Sequence, residues 1–232
     1  MNPLQAHDHS RLEGRSFLLG VDEAGRGCLA GPVVAAACLV KPDLFLDTAA
    51  LKKTGRVNDS KKLSAEARSL IFSDLKELAQ SGLLELAVAQ ASVMEIDDLN
   101  ILGATRLAMR RALERLESRG EGWALPKIGV SGPLFGEEVA TVCLLVDGRP
   151  LRSFPYTHKA LVKGDGKSLA IAAAGIAAKV ERDRQMVILA KRYPAYGFAV
   201  HKGYGTKLHR EALKRHGPCP EHRRLFLRKI LS

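Results

Sequence analysis

The fold of this 232-residue chain is decided by the stretch Gly20-Val21-Asp22-Glu23-Ala24-Gly25-Arg26-Gly27-Cys28-Leu29-Ala30-Gly31-Pro32. Apolar segments over residues 17–21 and 33–40 flank it, and each has the length and composition of a buried strand. The pattern predicts a hairpin whose two strands are joined by a glycine-rich turn. Asp22 and Glu23 therefore stand at the end of the first strand, where neighbouring side chains point to opposite faces of the sheet.

The carboxylate pair and the turn after it permit two interpretations. An Asp-Glu pair alone is typical of an acidic strand end followed by an ordinary turn. Carboxylates also hold divalent metal ions, and glycines let a backbone approach a phosphate or a sugar closely. Arg26 adds a fixed positive charge between Gly25 and Gly27. The combination favours the second interpretation.

Two later segments repeat the pattern of apolar run, carboxylate and glycine. Residues 139–146 lead into Asp147, and residues 157–162 lead into Asp165. Each aspartate alone could simply begin a turn. If both converge with the first carboxylate pair, four negative charges repel one another unless divalent cations neutralise them. The set therefore favours a site for Mg²⁺ or Mn²⁺, and two such ions about 4 Å apart can promote phosphodiester hydrolysis.

The order of the elements predicts an α/β protein with a mixed central sheet. Residues 83–90 and 128–130 add strand pieces to those above. Helical spacing and serine or threonine caps predict helices over residues 64–80, 92–120, 168–194, 206–216 and 221–230. We expect a flexible tail over residues 1–15, and one catalytic domain over residues 16–232 whose C-terminal part, from about residue 194, is helical.

The charge balance points to a polyanionic partner. Lys and Arg number 36 against 25 Asp and Glu, a formal net charge of +11, which suits nucleic acid or, alternatively, an anionic membrane surface. No apolar segment of the ~20 residues that span a membrane is present, and residues 1–15 lack the apolar core of a signal peptide. We therefore expect a cytoplasmic protein without membrane association. The four cysteines lack Cys-x-x-Cys spacing, which argues against zinc.

These motifs resemble type 2 ribonuclease H, and the bacterial ribonuclease HII family in particular. The resemblance rests on Asp-Glu-x-Gly-Arg-Gly at residues 22–27, on Val-Asp-Gly and Lys-Gly-Asp around Asp147 and Asp165, and on further matching segments at residues 58–63, 95–108, 178–183 and 201–209. It covers most of residues 19–226. Two departures stand out: Gly175 occupies a position where the family usually has serine, and residues 120–138 are longer than usual.

The resemblance implies a ribonuclease H-like fold, flanked by helices and with a helical C-terminal extension. It implies a divalent-metal endoribonuclease that cleaves the RNA strand of RNA–DNA hybrids. It also implies nicking 5′ of single ribonucleotides embedded in DNA, as in ribonucleotide excision repair, with 5′-phosphate and 3′-hydroxyl ends. Asp22, Glu23, Asp147 and Asp165 would be the catalytic residues and the ligands of two Mg²⁺ or Mn²⁺ ions.

The resemblance also implies residues that contact nucleic acid. Gly25, Arg26 and Gly27 resemble the turn that contacts the ribose 2′-hydroxyl, and Tyr204 resembles the tyrosine that packs on the following deoxyribose. Recognition of RNA needs such a 2′-hydroxyl contact. The candidates for phosphate contacts are Lys61, Lys62, Lys163, Lys179 and Arg182. We expect a monomer whose partners are RNA–DNA hybrids and DNA that contains ribonucleotides.

Alternatives from two classes stay open at this stage. One is a related metal-dependent DNA nuclease of the junction-resolvase type, against which the glycine-arginine-glycine turn and Tyr204 argue. The other is a non-catalytic hybrid-binding protein, which would gain nothing from four carboxylates that face phosphates. Three histidines, His201, His209 and His222, fit no zinc spacing and are predicted to lie on the surface or in loops.

Overall fold

A five-stranded mixed sheet forms the centre of the protein in the computed structural model, which describes residues 1–12, 17–129 and 142–228. Its order is β3-β2-β1-β4-β5. The first three strands along the chain pair antiparallel, whereas β4 lies parallel to β1 and β5 lies parallel to β4. The predicted α/β class and hairpin are therefore confirmed. The strands are β1 (Phe17–Ala24), β2 (Val33–Val40), β3 (Leu84–Ala91), β4 (Val142–Asp147) and β5 (Lys159–Leu161).

Helices cover both faces of this sheet. They are α1 (Pro3–Arg11), α2 (Thr48–Thr54), α3 (Ala65–Gln80), α4 (Val93–Glu117), α5 (Leu169–Arg192), α6 (Phe198–His201), α7 (Lys207–His216) and α8 (Arg224–Leu227). Every residue of β2 is buried, and successive residues face opposite sides. Val34 and Ala36 join the apolar core formed with α1, α3 and α5, whereas Val33 and Ala35 join the core formed with α4.

Small residues bring α5 unusually close to the sheet. Its first half consists mainly of fully buried alanines. A Cβ on Gly20 of β1 would lie only 2.3 Å from the backbone carbon of Ala170 and 2.4 Å from the nitrogen of Ile171. Glycine at position 20 is therefore required, because any side chain would separate β1 from the start of α5. This contact sets the short distance between β1 and the start of α5.

Local hydrogen bonds fix where the long helices begin, as the caps predict. The side chains of Ser64, Ser92 and Ser168 each accept a hydrogen bond from a backbone N–H in the first turn of the helix that follows. Helix α4 is interrupted at Asn100, which has a left-handed φ of 56°. The Oδ1 atom of Asn100 accepts from the N–H groups of Leu102 and Gly103, so this side chain caps the second part of the helix.

The flexible tail predicted for residues 1–15 is wrong over the described residues 1–12. Asn2 begins α1 with a capping box to Gln5. Asp8 is fully buried, and its Oδ2 accepts hydrogen bonds from the Ser168 hydroxyl and the N–H of Ala170. The first helix therefore docks on the N-terminal end of α5, where a carboxylate is favoured by the helix dipole.

Three further expectations need correction or lie partly outside the described residues. The connection over residues 41–57, for which no element is predicted, contains α2 and a 3₁₀ turn at Pro42–Phe45. Instead of a strand at residues 128–130, an isolated bridge joins Lys127 to Tyr156, and residue 130 is outside the described ranges. The last helix begins at Arg224 rather than at residue 221. Within the described ranges, no helix has the length and apolar character needed to cross a membrane.

Candidate active site and nucleic-acid interface

The four predicted carboxylates come from elements that meet at one edge of the sheet. β1 and β4 are parallel neighbours, and Val21 is paired with Val146, so Asp22 and Asp147, the next residues of the two strands, lie at the same level of the sheet. Asp165 lies in the 3₁₀ turn Gly164–Gly166 between β5 and α5. The Oδ1 atom of Asp147 accepts a hydrogen bond of 2.6 Å from the N–H of Gly164, which ties this turn to the end of β4.

Burial and mutual repulsion dominate the electrostatics of this carboxylate group. Asp22 is only 6% exposed. Burial, followed by the charges of Glu23, Asp147 and Asp165, raises the pKa of Asp22 well above its usual range. Burial is also the main cause that raises the pKa of Glu23 and of Asp147. The fold therefore holds negative charges where they cost stability, a condition that a bound cation would relieve.

Nearby donors engage all four carboxylates. The Lys61 Nζ lies 3.1 Å from Oδ2 of Asp165, and Arg26 Nη1 lies 3.2 Å from Oε1 of Glu23. The N–H of Glu23 donates to Oδ1 of Asp22 at 2.7 Å. Among the described residues, no three His, Cys, Asp or Glu side chains are grouped as a ready-made metal site. The all-oxygen donor set nevertheless suits a hard divalent cation, which would need these side chains to turn away from their present donors.

Helix α5 presses its backbone against the buried carboxylate. A Cβ on Gly175 would lie 2.3 Å from Oδ2 of Asp22. The departure noted at this position in the sequence is thus in direct contact with the site. Glycine leaves room for the present orientation of the Asp22 carboxylate, and a larger residue would displace the end of that side chain.

The glycine-arginine-glycine turn follows the carboxylate pair after Ala24, and its Arg26 and Gly27 are exposed whereas Gly25 is buried. Gly25 has a φ of +90°, and a Cβ there would lie 1.8 Å from Nε of Arg182, so only glycine fits. A Cβ on Gly27 would meet no atom within 4 Å, which leaves its backbone open to a ligand. The Arg26 side chain is 53% exposed.

Tyr204 lies beside this turn. The residue is 42% exposed, and burial, followed by the neighbouring Cys28 thiol, raises the pKa of its hydroxyl. The Lys179 Nζ lies 5.6 Å from the centre of the ring, a cation–π contact. The N–H of Leu29 donates to the carbonyl of Gly203 at 2.8 Å, which joins the signature segment to the Tyr204 loop.

Comparison with known proteins decides the family. Residues 19–229 match the family described as ribonuclease HII. The chain is 42% identical over 226 residues to the ribonuclease HII of Syntrophotalea carbinolica, covering 97% of this chain and 92% of that protein.

The chain belongs to the ribonuclease HII family.

Two solved structures show the same fold. Ribonuclease H2 from Pyrococcus horikoshii superposes with a TM-score of 0.61 at 26% identity, covering 92% of this chain and 96% of that one. The Bst-RNase HIII structure in complex with Mn²⁺ superposes with a TM-score of 0.61 at 20% identity, covering 90% of this chain and 65% of that one. The ribonuclease H-like architecture is thereby confirmed.

The residues predicted to contact phosphate differ in exposure and in their present partners. Lys62 and Lys163 are exposed and available to a ligand. Lys61 faces Asp165, and Lys179 is paired with Asp183 at 2.7 Å. The prediction for Arg182 is wrong: this residue is fully buried and donates to the backbone carbonyls of Ala30, Pro32 and Lys202.

Two openings near the site are lined by basic residues, most of which the sequence analysis did not name as site residues. A cleft of about 480 Å³ opens beside Glu23 and Asp147, and its rim includes four arginines, Arg26, Arg106, Arg149 and Arg152. A groove of about 860 Å³ begins at Tyr204 and includes Arg68, Lys179, Arg184 and Lys202. The two arginines that follow Asp147, in Arg149-Pro150-Leu151-Arg152, are the sequence feature from which the basic rim of the first cleft could have been predicted.

The three histidines are buried together, so their predicted surface position is wrong. His201, His209 and His222 are each no more than 7% exposed. The N–H of Cys219 donates to Nδ1 of His222, which places the proton of this neutral ring on Nε2. That proton bonds to Nε2 of His209 at 3.0 Å, and Nδ1 of His209 then donates to the carbonyl of Tyr204. The chain of bonds supports the Tyr204 loop with neutral rings.

Proposed function

We propose that this ribonuclease HII family member is an endonuclease that hydrolyses the RNA strand of RNA–DNA hybrids. We propose further that it nicks duplex DNA on the 5′ side of a single embedded ribonucleotide, leaving 5′-phosphate and 3′-hydroxyl ends. The observation that carries the proposal is the convergence of four carboxylates next to an open glycine-arginine-glycine turn. A DNA nuclease would have no use for a turn that can reach a 2′-hydroxyl.

Asp22, Glu23, Asp147 and Asp165 would hold one or two divalent cations, Mg²⁺ or Mn²⁺. Such ions, when bound, supply polarisation of the attacking water and neutralisation of the phosphate and leaving oxygen. The raised pKa values of Asp22, Glu23 and Asp147 support this role, because a bound cation would offset the burial and the mutual repulsion that disfavour their charged forms. Lys61 would then leave Asp165 and become free for a phosphate.

The chain itself would select the cleavage point. Gly27, with open space on its Cα, lets the turn approach the ribose and contact its 2′-hydroxyl through backbone groups. Tyr204 offers a half-exposed ring for the next sugar, where a 2′-hydroxyl would clash. The arginine cleft beside Glu23 and the basic groove beyond Tyr204 would hold the phosphates on either side of the cut.

The test compares a long RNA–DNA hybrid with an all-DNA duplex of the same sequence, with Mg²⁺ and with a chelator. We expect cleavage of the hybrid alone, and only with the metal. Asp22→Asn should remove cleavage while binding of the hybrid persists, because one negative charge leaves the phosphate site. Asp43→Asn, which changes an exposed aspartate outside the site, is the matched control. Full activity of Asp22→Asn, or equal cleavage of the all-DNA duplex, would contradict the proposal.

A further inference from the structure

A buried guanidinium holds the carbonyl groups of the segment that carries the glycine-arginine-glycine turn. Arg223 belongs to the C-terminal segment and has no exposed surface. Its Nη2 donates to the carbonyl of Gly25 at 2.8 Å, and its Nη1 donates to that of Arg26 at 3.1 Å. The same side chain also bonds to the carbonyls of Gly31 and Pro32. Four of the five N–H groups of the guanidinium are therefore used on this one segment.

The backbone around Arg223 is paired with the same segment. The N–H of Arg223 donates to the carbonyl of Leu29 at 2.9 Å, and the N–H of Gly31 donates to that of Glu221 at 2.8 Å. An antiparallel bridge joins Ala30 to His222. The C-terminal segment thus lies against residues 29–31 like a short strand, and its arginine side chain extends back to the turn.

A second buried guanidinium ties this segment to the Tyr204 loop. Arg182 of α5 donates to the carbonyls of Ala30 and Pro32 and, at 2.9 Å, to that of Lys202. Between them, the two arginines fix both the shape of the turn and its distance from Tyr204. Neither has a free surface through which to contact a substrate.

We infer that Arg223 is a positioning residue for recognition of the RNA–DNA junction. The inference rests on the proposed function, because it assigns the turn to the ribose and Tyr204 to the deoxyribose. The turn is closed by one long backbone hydrogen bond of 3.3 Å, from the N–H of Cys28 to the carbonyl of Gly25. Because Arg223 holds the carbonyls of Gly25 and Arg26 as well, we expect the backbone groups of the turn to stay aimed at the ribose only while this side chain is in place. Arginine is needed because its planar fork reaches several acceptors at once, whereas lysine is a point donor on a flexible stem.

The experiment compares the parent with Arg223→Lys, which keeps the charge and loses the fork. Arg224→Lys makes the same change at the exposed neighbouring position and is the control. The substrates are a duplex with one ribonucleotide, a long hybrid, and a duplex whose one strand changes from RNA to DNA at a single junction. The readouts are kcat and KM for each substrate, the cleavage position relative to the junction, and the thermal midpoint.

For Arg223→Lys we expect the rate on the single-ribonucleotide duplex to fall about ten- to a hundredfold more than the rate on the long hybrid. Cleavage of the junction strand should spread over several positions, whereas a purely structural loss would lower both rates equally and keep one position. Arg224→Lys should match the parent. An Arg223→Lys protein that folds and keeps the parent's ratio and cleavage position would overturn the inference.

If Arg223→Lys does not fold, amide hydrogen exchange of the parent decides the matter. The N–H groups of Cys28, Leu29 and Gly31 donate to the carbonyls of Gly25, Gly203 and Glu221, so these amides should exchange slowly, in the range of the strand that precedes them, if the segment is held rigid. Exchange of this segment as fast as that of an exposed loop would overturn the inference. Failure of the parent itself to cleave any of the three substrates would instead refute the proposed function.

Discussion

Acidification should weaken the fold through the buried histidine chain, with His222 as the main contributor. Burial and the neighbouring His209 lower the pKa of His222 from 6.5 to about 4. Between these two pH values the unfolded chain binds a proton that the folded protein excludes, so stability is lost as the pH falls from 6.5 towards 4. The difference between the two pKa values corresponds to about 3 kcal/mol of stability in total. This is a substantial part of the free energy of unfolding of a typical domain, about 5–15 kcal/mol.

The assay is urea unfolding of the metal-free protein at several pH values between 4.5 and 7. In the parent, the His222 contribution to the free energy of unfolding should change by about 1.4 kcal/mol per pH unit near pH 5. His222→Gln should remove that one-proton share of the slope. His216→Gln, which changes an exposed ring, should leave the slope unchanged. Equal slopes for the parent and His222→Gln would refute the reasoning that this histidine is held neutral.

Three other outcomes are expected. Asp22→Asn should raise the free energy of unfolding of the metal-free protein at pH 7, since burial and the neighbouring carboxylates raise the pKa of Asp22 and so disfavour its charged form; a less stable variant in denaturant melts would contradict this. Tyr204→Ala should impair cleavage of single-ribonucleotide duplexes more than cleavage of long hybrids, whereas Tyr204→Phe should retain most of the activity. Parent-like cleavage by Tyr204→Ala would mean that the ring has a structural role only. The logarithm of the association constant for the hybrid, measured by fluorescence anisotropy, should fall linearly with the logarithm of the salt concentration, with a slope of roughly −0.7 to −0.9 per phosphate neutralised. An affinity that does not change with salt would show that the net charge of +11 does not contribute to binding.

The sequence was informative wherever structure depends on neighbours along the chain. Strand β2 occupies the predicted residues 33–40, because its continuous apolar run fits a strand buried on both faces. Ser64, Ser92 and Ser168 mark the helix starts, since each cap needs only a backbone N–H three residues ahead. The convergence of the carboxylates also followed from strand ends, as parallel β1 and β4 finish at the same edge.

Features that depend on distant partners escaped the sequence analysis. Helix α1 is polar, and its position becomes apparent only when Asp8 meets Ser168, 160 residues away. Arginine is a residue type that commonly contacts phosphate, yet the guanidinium of Arg182 is buried and donates to backbone carbonyls of the protein itself. Arg223 is separated by almost 200 residues from the carbonyls that it holds. Charge patterns along a chain do not distinguish a solvated arginine from one that satisfies buried carbonyl groups.

The most direct test of the central claim is cleavage of a DNA duplex that contains one ribonucleotide, mapped at nucleotide resolution in the presence of Mg²⁺. The account predicts a single nick on the 5′ side of the ribonucleotide, with 5′-phosphate and 3′-hydroxyl ends. The nick should be absent from the all-DNA duplex and from the reaction with Asp22→Asn. Cleavage at positions unrelated to the ribonucleotide, or an equal nick by Asp22→Asn, would contradict the claim that the carboxylates and the glycine-arginine-glycine turn form one active site.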